Sequence, residues 1–287
     1  LLVFSPNTQI FMSPYAMLSQ LRKPWAFVRR DFGDAASYKL SFLMQFAGIF
    51  ISILTFFFLS RLFGGVVVSY LQPYGGDYFS FVLIGIAFAG YIGVAQHSIA
   101  GTISSAQEMG TLEALMVTQT GIPTILFSSS LTSFIWTTLR VIVYLILGVA
   151  VFGVDMRGAN IPAAILILLL SITSLGGFGI ISASFIMAFK KGDPLGWVFS
   201  SLSGFLGGVI YPIEVFPGWL QKCSYLLPIT HSLKGMRLAL LQGYSTKALL
   251  PYILALMLFT AIMLPLSLFF FQKAVKKAKM DGSLTQY

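Results

Sequence analysis

One cysteine in 287 residues, nine acidic side chains and no long polar stretch characterise the chain by what it lacks. Cys223 alone can form neither an intrachain disulfide nor a multi-cysteine metal site, and it reads as a small apolar filler. Only 9% of residues are charged, 57% are hydrophobic and mean hydropathy is +0.87, a balance that excludes a soluble domain. No G-x-x-x-x-G-K-S/T run occurs, so the chain has no phosphate-cradling loop and is expected to bind no cofactor of its own. His97 and His231 lie far apart with no ligand cluster and no Ser-His-Asp grouping, and read as hydrogen-bonded packing residues. No internal repeat or low-complexity tract is evident.

What is present is apolar length. Stretches of 18 or more apolar residues read as membrane-crossing helices, since ~20 residues at 1.5 Å rise span a hydrocarbon core of ~30 Å. Six such stretches occur, at Leu40–Leu62, Phe79–Ile99, Pro123–Phe152, Pro162–Phe189, Leu195–Tyr211 and Leu249–Gln272, the fifth being short. The expected fold is all-α and integral to the membrane, with six transmembrane helices in a domain of residues 40–272. Residues 1–39 would form an N-terminal interface region and 273–287 a basic tail. The first twenty residues lack the basic, apolar, small-residue order of a cleaved signal. Because the chain opens on leucine, its native start is expected upstream.

The net charge of +9 fits a membrane topology better than nucleic-acid binding. Eleven basic residues fall before the first stretch, at Lys190 and Lys191, and after the last, which six crossings place on one side; six others fall on the opposite side. The positive-inside rule then puts both termini in the cytoplasm. Residues Met12–Asp31 mix Trp25, Phe27 and Val28 with Arg22, Lys23, Arg29 and Arg30, the composition of an amphipathic helix at a membrane interface. Either a topology anchor or a partner contact is compatible with it. Gly204 and Gly208 form a G-x-x-x-G pair that favours close helix packing in lipid.

Pro212, Pro217 and Pro228 divide residues 212–245 into pieces too short to cross. Gly218–Leu227 and His231–Gln242 carry apolar stripes (Trp219, Leu220, Cys223 and Leu226; Leu233, Met236 and Leu240), and are expected as outer re-entrant helices. Around 104–117, Ser104 with Gln107, or Ser105 with Glu108, fits a capping box at a helix start. Met109, Leu112 and Met116 would share one face of that helix, leaving Glu108 and Glu113 either to meet basic groups on a partner or simply to be solvated. Arg140, midway along the third stretch, costs ~2.5–3.5 kcal/mol on insertion scales and serves either packing or an anionic ligand. No Asp or Glu lies centrally in any stretch, unlike the usual ion-coupled carrier.

The run Glu108-Met109-Gly110-Thr111-Leu112-Glu113-Ala114-Leu115 resembles the cytoplasmic signature of the type-2 ABC permeases, the membrane subunits of ABC exporters. Residues 207–217 (GGVIYPIEVFP), Leu227-Pro228-Ile229-Thr230-His231 and residues 237–243 are similar to that family's fifth-span exit and re-entrant helices. The resemblance implies a coupling helix, with Glu108, Gly110, Thr111, Leu112, Glu113 and Leu115, seated in a cleft of a separate ABC ATPase. Arg29 and Arg30, in the amphipathic helix packed beside it, would share that interface. It also implies two ATPase subunits carrying the ATP and Mg2+, and a second permease subunit, as homodimer or heterodimer, with spans two and five facing each other. Phe88, Tyr91, Phe199 and Phe205, with Arg140, are then candidate pathway residues in the cytoplasmic membrane. An amphipathic cargo (lipid, drug or natural product) is expected. A polysaccharide or glycolipid is the alternative, although Arg29-Arg30-Asp31-Phe32 departs from the Arg-Tyr pattern of the polysaccharide branch. Rivals of another class are an ATP-independent secondary transporter or channel and a lipid transferase; the latter would need a membrane-face acid or histidine cluster.

Overall fold

A computed structural model describes residues 39–63, 68–110, 122–189 and 192–280. The described residues are helical, without strands. Eight helices carry the architecture: α1 (Lys39–Phe63), α2 (Tyr78–Glu108), α3 (Ile122–Ala150), α4 (Ile161–Phe189), α5 (Pro194–Leu206), α6 (Gly218–Tyr225), α7 (Pro228–Leu240) and α8 (Leu250–Met280). Five of them, α1, α2, α3, α4 and α8, are long and apolar enough to cross a membrane.

The most buried of these is α2, which packs against α4 and α3, while α8 lies along the far side of α4. It starts where Asp77 accepts hydrogen bonds from the Phe79 and Ser80 amides at 3.3 and 2.9 Å, satisfying N–H groups that the first turn leaves without partners. The first turn of α2 and the helices α6 and α7 lie at one end of the bundle, called here the Asp77 end. Lys39 and Met280, the first and last described residues, belong with the opposite, Glu108 end, since α1 reaches Phe79 near its own close and the close of α8 lies by Phe189.

Several expectations are corrected. The second helix does not stop near Ile99 but runs on to Glu108, because nothing from Ala100 onward breaks it. Ser104, Ser105, Gln107 and Glu108 therefore close a helix and do not open one: the apolar run precedes them, and Ser104 Oγ donates to Glu108 Oε1 at 3.1 Å. The fifth stretch is helical only from Pro194 to Leu206, 13 residues or about 20 Å of rise. Gly208, at φ +72°, lies outside that helix and cannot pair with Gly204 on a helical face.

Cys223 is exposed and fills no core. With Trp219 and Leu226 it forms the outward face of α6, an arrangement lipid tolerates because acyl chains are as apolar as a protein core. The stripe of α7 behaves in the opposite way, with Leu233, Met236 and Leu240 buried.

Candidate functional site

Charged and polar side chains gather at the two ends of the bundle. At the Glu108 end, α2 closes with the Met109 amide donating to Ser105 O and the Gly110 amide to Gln107 O, both at 3.0 Å. Gly110 has φ +65°, the left-handed conformation in which glycine ends helices without a Cβ penalty. Glu108, Met109 and Gly110 are all exposed. Thr111, Leu112, Glu113, Leu115 and Met116 lie outside the described residues, as do Arg29, Arg30, the amphipathic segment Met12–Asp31, and Lys190 and Lys191.

About three turns earlier in α2, a polar clasp joins that helix to α4 and α5. Gln96 donates to Ser203 Oγ and accepts from Ser200 Oγ, each at 3.1 Å. His97 Nε2 bonds the same Ser200 hydroxyl, and its Nδ1 stands 3.8 Å from Asp193 Oδ2. Asp193 caps α5 through the Gly196 amide and accepts from Ser182 Oγ, both at 2.7 Å. Serine, histidine and aspartate thus meet, which a separation of about a hundred residues hides in the sequence. Ser200 is shared between Gln96 and His97, and Asp193 is committed to Ser182 and the Gly196 amide. The group serves as an interhelical tie.

Between the ends, Phe88 and Tyr91 are buried. Tyr91 donates to Thr138 Oγ1 at 2.7 Å and stacks towards Phe134. Phe199 meets Phe178 edge-on at 4.4 Å, and Phe205 lies exposed beside Tyr211 and Phe216. The Arg140 Nε is buried without a hydrogen-bond partner among the described residues. These five candidates therefore do not line one shared cavity: Phe88 and Tyr91 pack inside the bundle, and Phe205 faces outward.

The Asp77 end holds the buried charge. Arg237, on α7, donates from Nε to Phe81 O at 3.0 Å and from a terminal nitrogen to Val209 O at 2.8 Å. Its guanidinium lies 3.4 Å from the centre of the Phe81 ring. Burial pushes its pKa down to about 9, partly opposed by Tyr74 and Glu214, which leaves it charged at neutral pH. Beside it, Lys234 pairs with Glu214 at 2.7 Å; burial would lower the lysine, but the Glu214 hydrogen bond together with Tyr74 and Tyr225 holds it above its usual range. Burial also pushes the Tyr74 hydroxyl up to about 12. Gly85 makes this packing possible, since a Cβ there would stand 2.0 Å from Val209 O. Counting basic residues by side missed this cluster. The available signal was Arg237 itself, four residues after Leu233 and three before Leu240 on the buried stripe.

Among the described residues, an all-helical bundle with five membrane-length helices, most of its charge towards its ends and Arg140 the exception, has the build of a multi-pass membrane protein. The chain matches the model of the ABC-2 type transporter family over residues 25–241 and belongs to that family. No curated protein matches the chain. Members of this family are membrane transport components that typically work with an ATPase subunit.

Proposed function

We propose that the chain is the membrane subunit of an ABC exporter of amphipathic molecules, coupled to its ATPase through Glu108, Gly110, Thr111, Leu112, Glu113 and Leu115. The observation that carries this reading is the position of the signature: Glu108 to Gly110 are exposed at the end of the span that is otherwise the most buried. Within α2, 31 residues run without an internal proline, about 46 Å of continuous helix. Force on its exposed end would therefore move the packing of α3, α4 and α5 as a unit.

In this reading α5, with the chain beyond Gly207, completes a sixth crossing, and both termini are cytoplasmic, as the basic clusters favour. Arg29 and Arg30 are assigned to the same ATPase contact, as the family resemblance implies. Two copies of the chain and two ATPase subunits form the working unit. Phe88, Tyr91, Phe199 and Phe205 come to the pathway only when the helices part, and Arg140 offers it a cation. The apolar character of those side chains favours an amphipathic cargo over a polysaccharide.

The test is reconstitution with the cognate ATPase, comparing wild type with a Glu108→Lys/Glu113→Lys double variant. Charge reversal at a desolvated contact costs ~2–5 kcal/mol and far less at a rim. The expected variant folds normally, hydrolyses ATP with its partner and fails to transport. Normal transport by the variant would remove these residues from the coupling contact, and ATP turnover by the isolated permease would refute the division of labour.

A further inference from the structure

Away from the clasp and the signature, a crevice of about 400 Å³ opens at the Glu108 end between α4, α5 and α8. Its walls are apolar, with Phe185 and Ala188 from α4, Leu195 from α5 and Phe270 from α8. Lys273 and Lys277, one helical turn apart on α8, stand at its edge. Lys273 Nζ lies 4.3 Å from the Phe269 ring centre and Lys277 Nζ 5.3 Å from that of Phe189. The two ammonium groups thus lie against aromatic faces at the edge of the crevice, on side chains that remain exposed. Neither ammonium forms an ion pair among the described residues. The nearby carboxylate at the start of α5, Asp193, is occupied by Ser182, the Gly196 amide and His97.

We infer that this crevice binds an anionic phospholipid of the surrounding bilayer, with an acyl chain against Phe185, Ala188 and Leu195 and the phosphate between Lys273 and Lys277. An apolar slot beside two cations that have no carboxylate partner among the described residues matches a molecule that is hydrocarbon at one end and anionic at the other. Basic pockets between membrane helices select such headgroups. A zwitterionic headgroup would bring a third cation to a rim that already holds two. The volume falls in the range of small-ligand sites, about 300–1,000 Å³. The inference rests on the membrane embedding of the bundle and is independent of the coupling role of Glu108.

The experiment uses the full-length chain in nanodiscs of phosphatidylglycerol and phosphatidylcholine with identical acyl chains. Lipids retained after extraction are counted by native mass spectrometry. At roughly fivefold per lysine, the wild type is expected to prefer phosphatidylglycerol by roughly 25-fold. Lys273→Ala with Lys277→Ala abolishes the preference. Ala188→Trp, which fills the slot and keeps both charges, abolishes retention of the lipid. Equal retention of both lipids by wild type would overturn the inference, as would a preference that survives both variants. Displacement of the lipid by glycerol phosphate at the same concentration would also overturn it, since the site would then recognise phosphate without the chain. Occlusion of the crevice by a second copy would appear as a dimer that retains no lipid, and would overturn it equally.

Discussion

The two ends of the bundle handle charge in opposite ways. At the Asp77 end, Arg237, Lys234 and Glu214 turn inward and are consumed by neighbours in the same chain: two backbone carbonyls, an aromatic face and one another. At the Glu108 end, Glu108, Lys273 and Lys277 turn outward. A buried charge is tolerated only when hydrogen-bonded, and losing a partner then costs several kcal/mol. The first end is accordingly an anchor that resists rearrangement. The second is stabilised little by its charges, and they remain available to other molecules. If the chain is driven from its Glu108 end, as proposed above, that asymmetry would let a pull at one end pivot about the other.

The largest expected effect comes from crowding the anchor. Gly85→Ala places a methyl carbon against the Val209 carbonyl, backbone that no rotamer change can move aside. Overpacking of this kind costs about 3 kcal/mol. Gly93→Ala, on the same helix with nothing within 4 Å of the added carbon, should leave thermal denaturation in detergent unchanged or slightly raised. Equal melting temperatures for the two variants would mean that α2 and the chain at Val209 are not in close contact.

Removing the cation itself ranks next. Arg237→Met keeps much of the side-chain volume but leaves Val209 O without its donor, at a cost of about 2 kcal/mol for a buried unsatisfied acceptor. A melting temperature equal to that of the wild type would show that the guanidinium is dispensable to the anchor.

The ion pair beside it is weaker, because both partners keep some contact with water. A double-mutant cycle on Glu214→Gln and Lys234→Met should return a coupling of about 1 kcal/mol. Its sign with pH follows from the raised lysine pKa. The stabilisation is complete below the ordinary lysine value of 10.5 and is lost only as pH rises through the higher folded value. A coupling that disappears already near neutral pH would contradict that assignment.

The contrast between the ends also explains what could be read in advance. Apolar length alone located the five long helices, because a run of twenty uncharged residues has few other fates. Their limits were harder. Gly204 and Gly208 read as a packing pair, yet a left-handed Gly208 takes the chain out of helix, so a stretch that looks continuous in composition is cut to 13 residues. At α2 the error ran the other way, since the i, i+3 spacing of a capping box is present in Ser105 and Glu108, yet Glu108 bonds Ser104 at i, i+4 in a last turn. The clasp of His97, Ser200 and Asp193 was invisible because its members lie about a hundred positions apart and depend on how α2 meets α5. Arg237 was legible in principle: a lone cation on an apolar stripe must find partners or not be there.

The smallest expected effect sharpens the comparison most. Ser104→Ala removes the hydroxyl that holds Glu108 against its own helix. On an exposed helix face such a pair contributes about 0.2–0.5 kcal/mol, so the melting temperature should hardly move. If Glu108 is presented to the ATPase, freeing its side chain lets it sample more rotamers and weakens docking, and transport per ATP hydrolysed should fall while the fold is untouched. A solvated carboxylate with no partner predicts no change in either quantity. Reading stability and coupling on the same variant separates the two cases: a drop in coupling without a drop in stability marks the outward-facing end as a contact surface, whereas unchanged coupling would move the contact beyond Gly110.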